Sequence, residues 1–196
     1  MNLPNRITLA RICLVPVMML FLLIDFPFGE QVIRIGSTFQ LSYNDLIAAL
    51  IFIIAASTDG IDGHIARSRN LVTNLGKLLD PLADKLLVSA ALISLVSLDK
   101  CAAWMAIIII FREFAITGLR QIALLEGAVV AASNWGKAKT ITQIVAIVAL
   151  MINNFPFALL GIPFDQIAIW AATLITLYSG VDYFIKNKHL IHLSNS

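Results

Sequence analysis

The chain has 196 residues, of which 59% are hydrophobic and only 13% are charged, and its mean hydropathy is +0.88. A soluble domain carries roughly 25% charged residues, so this composition excludes a water-covered surface and also a disordered chain. The net charge of +2 is too small to indicate nucleic-acid binding. Since a membrane-crossing helix needs ~20 apolar residues, the length allows at most about six or seven spans. The composition predicts an integral membrane protein.

Six apolar segments follow along the chain, and all are predicted to be helices, because a segment in lipid must satisfy its own backbone hydrogen bonds. They cover residues 9–28, 43–66, 76–98, 102–124, 137–157 and 164–186. Residues 1–8, which enter the first span, are expected to form a short amphipathic helix on the membrane surface. The predicted fold is all-α, a single transmembrane domain over residues 1–196. The two cysteines, Cys13 and Cys101, are expected to be buried free thiols.

The positive charges are strongly biased toward one side of this arrangement. Twelve of the fourteen Lys and Arg residues fall at one set of helix ends, and only Arg34 and Lys100 fall at the other. Because positive residues favour the cytoplasmic side, both termini are predicted to be cytoplasmic. Asp45 and Asp99, at the outer ends, are expected to be solvated.

A cluster of acidic and small residues lies at the cytoplasmic ends of the second and third segments. Its members are Asp59, Asp62, Gly63, Ala66, Arg67, Gly76, Asp80 and Asp84. At about 100° per residue, positions 59, 62, 63 and 66 share one face of the second helix. Gly76, Asp80 and Asp84, spaced four apart, form a stripe on the third helix. A short connector joins the two helices, so the four carboxylates are predicted to converge.

Converging carboxylates repel one another unless cations neutralise them, and their oxygens suit Mg²⁺ or Mn²⁺. Divalent ions held in this way can bind a diphosphate and offset the charge that develops in a displacement. The alternative is a set of structural ion pairs with Arg67, Lys77 and Lys85. Structural pairing would explain a single acid beside a basic residue. It explains poorly why four acids lie on two helix faces that also carry Gly and Ala.

A second, basic cluster lies at the junction of the fourth and fifth segments. Arg112 and Arg120 are eight residues apart and share a helix face, and Lys137 and Lys139 begin the next helix. Arginine is suited to bidentate phosphate binding, so these residues are predicted to bind a phosphorylated acceptor. The alternative is ordinary anchoring at the cytoplasmic interface, which explains the depth of Arg112 poorly.

From Asp59 to Asp84 the chain fits D-x2-D-G-x2-A-R-x8-G-x3-D-x3-D at every fixed position. This string resembles the signature of the CDP-alcohol phosphotransferase family, and the six-span layout is also similar to that family. The resemblance implies that Asp59, Asp62, Asp80 and Asp84 ligate two metal ions, and that Asp84 is also the base on the acceptor hydroxyl. It implies that Gly63, Ala66, Arg67 and Gly76 shape the CDP site. It further implies a homodimer.

Residues 2–11 and 80–85, together with the basic cluster, resemble the bacterial members of the family that make phosphatidylglycerophosphate. These members transfer the phosphatidyl group of CDP-diacylglycerol to sn-glycerol 3-phosphate and release CMP. The resemblance implies that Asn5 and Thr8 approach the nucleotide and that Arg11 approaches the acceptor phosphate. The alternative for these three residues is a surface helix that binds lipid phosphates. The expected location is the cytoplasmic membrane, with the active site facing the cytoplasm and membrane lipid as a partner.

Three other functions compete with this interpretation. Another member of the family could use inositol phosphate or a different alcohol, although a phosphate pocket disfavours serine. A Mg²⁺-dependent prenyltransferase also binds diphosphate through Asp-rich motifs, but it does not require Gly63, Ala66 and Arg67 in this register. An ion-coupled transporter predicts acids near the bilayer midplane and broken helices.

Overall fold

A computed structural model of the protein describes residues 3–24, 26, 32–35, 39–68, 74–125 and 134–186. Within these ranges it describes the backbone throughout, and the side chains except at residues 3–4, 32–35, 39, 59–68, 74–80, 124–125 and 134. The described chain is mostly helical, as the sequence predicts. Its six α-helices are α1 Leu3–Leu23, α2 Tyr43–Ser68, α3 Asn74–Ser97, α4 Ala103–Leu125, α5 Asn134–Met151 and α6 Phe164–Lys186.

The first helix differs from the prediction in being continuous. Helix α1 runs without a break from Leu3 to Leu23. Residues 3–8, expected in a separate surface helix, are therefore the first turns of α1.

Two of the connectors contain structure that the sequence did not predict. Strands β1 Val32–Ile35 and β2 Phe39–Ser42 form an antiparallel hairpin before α2. Helix α5 ends at Met151 rather than near residue 157, and a 3₁₀ turn, Phe157–Leu160, precedes α6. The reason for the early end lies in the next residues, because Asn153 and Asn154 adopt positive φ angles of 52° and 63°. Asparagine is one of the few residues that enters this left-handed region readily, and it terminates a helix there.

Side chains outside two of the helices satisfy N–H groups in their first turns. The Ser42 hydroxyl accepts a hydrogen bond from the Asn44 backbone N–H at 3.1 Å, at the start of α2. The Asn154 side-chain oxygen accepts one from the Asp165 N–H at 3.1 Å, at the start of α6. These N–H groups have no partner within their own helix, so the two bonds fix where α2 and α6 begin.

The helices pack around a shared apolar core. Helix α1 lies against α2 and α3, α4 lies between α3 and α6, and α5 packs on α6 and also touches α2. Large core side chains that are at most 1% exposed include Met18, Phe52, Leu92, Ile109, Ile147 and Ile169. The core therefore draws on α1 to α6, which makes the described helices one packed bundle.

The outer surface of this bundle is apolar as well. Ile107, Phe111 and Ile185 are 64%, 71% and 64% exposed, and an apolar surface of this kind is costly in water. Two helical stretches, Asn5–Leu23 and Phe164–Lys186, are long and apolar enough to cross a membrane, judged by length and composition. Cys101 is buried as predicted, but Cys13 is exposed on α1, which corrects the expectation for that residue.

A polar cluster at one end of the bundle corrects the prediction for Asp45. Its carboxylate is not simply solvated: it accepts hydrogen bonds from Lys100 Nζ and from Asn153 Nδ2, both at 3.1 Å. These bonds tie the start of α2 to the turn after α3 and to the end of α5. Asp99, in the same turn, is exposed as expected. We call Asp45, Lys100 and Asn153 the outer cluster.

Candidate active site

A polar cavity of about 430 Å³ opens at the end of the bundle opposite the outer cluster. Helices α3, α4, α5 and α6 all contribute to its walls. The lining residues are Asp84, Lys85, Arg112, Glu113, Ile116, Thr117, Arg120, Gly136, Lys137, Lys139, Thr140, Ile141 and Tyr183. All four residues of the predicted basic cluster are among them, and so is Asp84, the predicted base. We call this space the acceptor cavity.

Helical spacing explains how these charges meet. Arg112, Ile116 and Arg120 are four residues apart and therefore line one face of α4 over two turns. Lys137 and Lys139 lie in the first two turns of α5, and α4 and α5 both pack on α6. The buried contact between Lys139 and Glu113 brings the start of α5 to this face of α4.

The acceptor cavity has an excess of positive charge. Five cationic side chains line it, against the carboxylates of Asp84 and Glu113, so three positive charges are uncompensated. Charges of one sign around a concave, partly apolar site concentrate counter-ions there. The cavity is therefore suited to a polyanion such as a phosphate monoester.

Arg112 is held by two neighbours. Its Nη2 donates a hydrogen bond to the Ser179 hydroxyl of α6 at 2.6 Å, and its Nη1 lies 3.4 Å from Glu113 Oε1. Its Nε is buried and has no hydrogen-bond partner within the part of the chain that the structure describes. An orphaned buried donor is costly, so a ligand oxygen that reached this N–H would recover that cost.

Glu113 and Lys139 form a buried ion pair in the cavity wall. Lys139 Nζ donates to Glu113 Oε1, and the two side chains are only 8% and 11% exposed. Charges so far from water depend on each other, because losing one partner leaves the other unpaired in a low-dielectric environment. The pair joins α5 to α4 and fixes the position of the Lys139 ammonium group.

Arg120 lies over an aromatic ring that sequence reasoning missed. Its guanidinium carbon is 5.6 Å from the centre of the Tyr183 ring of α6, within the range of a cation–π contact. Ser179, which holds Arg112, was missed as well. One signal in the sequence could have found both, because Thr176, Ser179 and Tyr183 recur with helical period and form a buried polar stripe on one face of α6.

Asp84 is accessible from the cavity. Its side chain is 41% exposed, and its Oδ2 lies 3.8 Å from Lys85 Nζ. A carboxylate placed in this way can meet a substrate, because it is not sealed into the core.

The other residues of the acidic motif are described by their backbone alone. Asp59, Asp62, Gly63, Ala66 and Arg67 lie in the last turns of α2, and Gly76 and Asp80 lie in the first turns of α3. Helices α2 and α3 contact each other, and these turns are close in sequence. Their side chains lie outside the described set, within which no group of three potential ligands is close enough to hold a metal. The metal quartet therefore stays a prediction.

Asn5, Thr8 and Arg11 are buried at 5%, 0% and 1% exposure on one face of α1. Arg11 Nε lies 3.3 Å from the hydroxyl of Thr58, the residue before Asp59. None of the three lines the acceptor cavity. The structure thus separates Arg11 from the four other predicted phosphate ligands and puts it beside the acidic motif.

Similar proteins are known along the full length of the chain. Residues 1–178 match the sequence model of the family described as CDP-alcohol phosphatidyltransferase. A Bacillus subtilis protein named CDP-diacylglycerol–glycerol-3-phosphate 3-phosphatidyltransferase is 52% identical over 194 residues, 99% of each chain. A protein of the same name from Rickettsia bellii is 35% identical over 93% of each chain. A probable phosphatidylglycerophosphate synthase from Mycobacterium tuberculosis is 38% identical over 93% of this chain and 79% of that one.

These matches decide between the classes of protein that the sequence left open. They cover the acidic motif, the basic cluster and nearly all of the helical bundle, and the names they carry are those of phosphatidyltransferases. They set aside the prenyltransferase and the ion-coupled transporter. The chain belongs to the CDP-alcohol phosphatidyltransferase family.

Proposed function

We propose that the protein transfers the phosphatidyl group of CDP-diacylglycerol to sn-glycerol 3-phosphate, giving phosphatidylglycerophosphate and CMP. The observation that carries the proposal is the acceptor cavity, which is lined by Asp84 together with Arg112, Arg120, Lys137 and Lys139. A reactive carboxylate beside an excess of cations fits an acceptor that carries both a hydroxyl and a phosphate. The relatives named above agree with this substrate pair.

The phosphate of the acceptor would lie among the cationic side chains. Arg112 is already oriented by Ser179, and its buried Nε offers a donor without a competing partner in the described chain. Charge-assisted hydrogen bonds to a phosphate are about twice as strong as neutral ones. Binding by the phosphate would hold the acceptor with its hydroxyl near Asp84.

Asp84 would remove the proton from the attacking hydroxyl. The hydroxyl oxygen forms a bond to the phosphorus that carries the diacylglycerol, and the bond from that phosphorus to CMP breaks. The proton goes to the carboxylate, and the leaving CMP keeps the bonding electrons. Positioned bases of this kind contribute roughly 10²- to 10⁴-fold to a rate.

The donor headgroup would lie on the acidic motif. Asp59, Asp62, Asp80 and Asp84 would hold Mg²⁺ or Mn²⁺, as two ions, and such ions supply charge neutralisation for a diphosphate. The carboxylate oxygens of this set are the ligand type that these cations prefer. Gly63, Ala66, Arg67 and Gly76 would shape the CDP site, and the buried polar face of α1 with Asn5 and Thr8 would close it.

The setting of the reaction would be the cytoplasmic membrane. In this arrangement all six helices cross the bilayer, and both termini and the acceptor cavity face the cytoplasm. The apolar outer surface and the two polar ends of the bundle support it. Such a placement lets the diacylglycerol tails stay in lipid while the headgroup enters the cavity. A homodimer is the expected assembly, from the family resemblance.

The test is an assay with purified protein, CDP-diacylglycerol and a panel of alcohols. We expect CMP release with sn-glycerol 3-phosphate, little with glycerol or serine, and none after a chelator removes divalent ions. Restoring Mg²⁺ or Mn²⁺ should restore the activity. CMP release with inositol phosphate instead would show that the protein makes another phospholipid with the same kind of reaction. CMP release that is indifferent to the chelator would contradict the metal site.

A further inference from the structure

Glu113 and Asp84 are the two acids in a cavity whose five cationic side chains suit an anion. The Glu113 carboxylate is buried in α4, between Arg112 and Lys139, and it lines the acceptor cavity. A carboxylate repels the phosphate that the surrounding cations attract. Its presence there needs a reason beyond phosphate binding.

The two oxygens of Glu113 have different surroundings. Oε1 receives both cationic partners, Lys139 Nζ and Arg112 Nη1. The hydrogen bonds to this carboxylate from described residues both go to Oε1, and the side chain as a whole is 11% exposed. One oxygen therefore holds the wall together, and the other is left as an accessible acceptor.

A small recess lies beside this carboxylate. Its volume is about 20 Å³, and its lining comes from α3, α4 and α5: Asp84, Lys85, Val88, Glu113, Lys139, Thr140 and Gln143. A space of this size accommodates one water-sized group. Its lining includes carboxylate, ammonium, hydroxyl and amide side chains, so a hydroxyl or a water molecule there has polar partners within the recess.

We propose that Glu113 selects the acceptor by accepting a hydrogen bond from its non-reacting hydroxyl, which lies in the recess. The inference rests on the proposed function, because it takes the acceptor to be a phosphorylated polyol. The phosphate binds the cations, one hydroxyl meets Asp84, and the remaining hydroxyl donates to Glu113 Oε2. The carboxylate thus distinguishes a polyol phosphate from inorganic phosphate and from phosphates with no second hydroxyl.

A purely structural role for Glu113 makes a different prediction. If the carboxylate only neutralises Lys139 and orients Arg112, its loss weakens every phosphorylated acceptor equally. If it binds a hydroxyl, its loss weakens only acceptors that carry that hydroxyl. The ratio of kcat/KM for two acceptors separates the two roles, because a general defect cancels in the ratio.

The experiment compares sn-glycerol 3-phosphate with 3-hydroxypropyl phosphate, which keeps the phosphate and the primary hydroxyl but lacks the middle one. Hydrogen bonds to charged groups correspond to roughly 10- to 100-fold in kcat/KM, so we expect the wild type to prefer glycerol 3-phosphate by about that factor. In Glu113→Gln, Lys139 retains the amide oxygen and the amide NH₂ replaces Oε2. A neutral hydrogen bond is weaker, so the preference should shrink about tenfold.

Two further variants complete the design. Glu113→Asp keeps the charge that Lys139 needs but withdraws the carboxylate from the recess, so it tests the inference if Glu113→Gln does not fold. Asp45→Asn makes the same acid-to-amide change in the outer cluster, and its preference ratio should equal that of the wild type.

Each outcome decides either the role of Glu113 in acceptor selection or the proposed function. A wild type that uses both acceptors equally overturns the role of Glu113 without any variant. So does an equal loss on both acceptors in Glu113→Gln and Glu113→Asp. A preference that shrinks in both variants supports it. If no polyol phosphate leads to CMP release, the proposed function itself fails, and the inference fails with it.

Discussion

Arg112 is the residue that connects the parts of the acceptor cavity. It lies in α4 and donates a hydrogen bond to Ser179 of α6. Arg112 and Lys139 of α5 both contact the same oxygen of Glu113. A long, flexible side chain loses much conformational entropy when it binds a ligand. Here the contacts with the protein have already restricted it, so the proposed phosphate binding would cost less. An arginine suits this arrangement better than a lysine, because its planar guanidinium can bind several partners at once.

The role proposed for Asp84 leads to a prediction about a single residue. Asp84→Asn keeps the size of the side chain but removes the proton acceptor, so turnover should fall by at least about 100-fold. Binding of CDP-diacylglycerol should fall much less, because three other predicted metal ligands are unchanged. CMP release and lipid binding, both measured on the same purified variant, check this.

The control is Asp182→Asn, at the same end of the bundle. Asp182, whose side chain is 18% exposed, pairs with the exposed Lys186 one turn further along α6, and such i,i+4 pairs contribute little. Its activity should match the wild type. Near-normal turnover in Asp84→Asn would show that another group accepts the proton.

At the residue scale, spacing in the sequence found most of the cavity and missed the contacts across helices. Arg112, Arg120, Lys137 and Lys139 could be predicted because each lies in an apolar segment where a charge is costly. Which partner each charge takes depends on how α4, α5 and α6 pack, and a single sequence does not contain that information. The pairing of Lys139 with Glu113, 26 positions away, is an example.

At the scale of elements, the contact between α4 and α6 positions the cavity wall. Gly180 lies on the buried side of α6, and a Cβ atom there would approach Arg112 Cγ to 3.2 Å. That distance is tight, and Arg112 cannot simply move because Ser179 and Glu113 hold it. The absence of a side chain at Gly180 thus allows α6 to carry Ser179 to the arginine.

We therefore expect Gly180→Ala to displace Arg112 and raise the KM for the acceptor several-fold, with a smaller effect on the KM for CDP-diacylglycerol. Steady-state kinetics with each substrate varied in turn measure both values. Gly118→Ala on α4 is the matched control, because nothing lies within 4 Å of its added Cβ. That control should leave both KM values unchanged and stabilise the helix by up to about 1 kcal/mol. Equal KM values in the wild type and Gly180→Ala would refute the tight contact.

The outer cluster joins three elements and leads to a prediction about stability. Lys100→Met removes the ion pair with Asp45, whose side chain is 15% exposed, and leaves the carboxylate with Asn153 alone. The pair is partly screened by solvent, so we expect a loss of roughly 1 kcal/mol. Thermal unfolding in detergent should show a lower Tm, while the KM for the acceptor stays unchanged.

Lys186→Met provides the comparison for this variant. Lys186 is 63% exposed and also pairs with an aspartate, but on the surface of one helix. Its loss should shift the Tm much less. A larger shift in Lys186→Met than in Lys100→Met would contradict the structural role of the outer cluster.

Hydrophobic runs predicted all six helices, and their ends were less predictable. Helix α6 matches the predicted residues 164–186, because Pro163 and the lysines near its end mark it clearly. The hairpin before α2 and the early end of α5 were missed. Both lie in connectors outside the long apolar runs. The end of α5 depends on the positive φ angle of Asn153, a backbone feature that hydropathy does not report.

At the scale of the whole molecule, the bundle has an apolar outer surface between two polar ends. One end is the small outer cluster, and the other is the acceptor cavity with its excess of positive charge. Positive charge is retained on the cytoplasmic side of membranes. In the orientation proposed above, a water-soluble acceptor and the headgroup of a lipid donor would meet at one interface, without either crossing the bilayer.

This orientation can be tested by cysteine labelling. The background chain carries Cys13→Ser and Cys101→Ala. One reporter is Ala102→Cys, beside the outer cluster, and the other is Gln121→Cys, near the end of α4 on the cavity side. Both positions are exposed. A membrane-impermeant maleimide should label the first in intact cells and the second only after permeabilisation. The natural Cys101 is a poor reporter, because burial raises the pKa of its thiol and keeps the reactive thiolate scarce at neutral pH. Labelling of Gln121→Cys in intact cells would place the cavity outside the cell. That result would overturn both the proposed orientation and the proposed cytoplasmic location of the reaction.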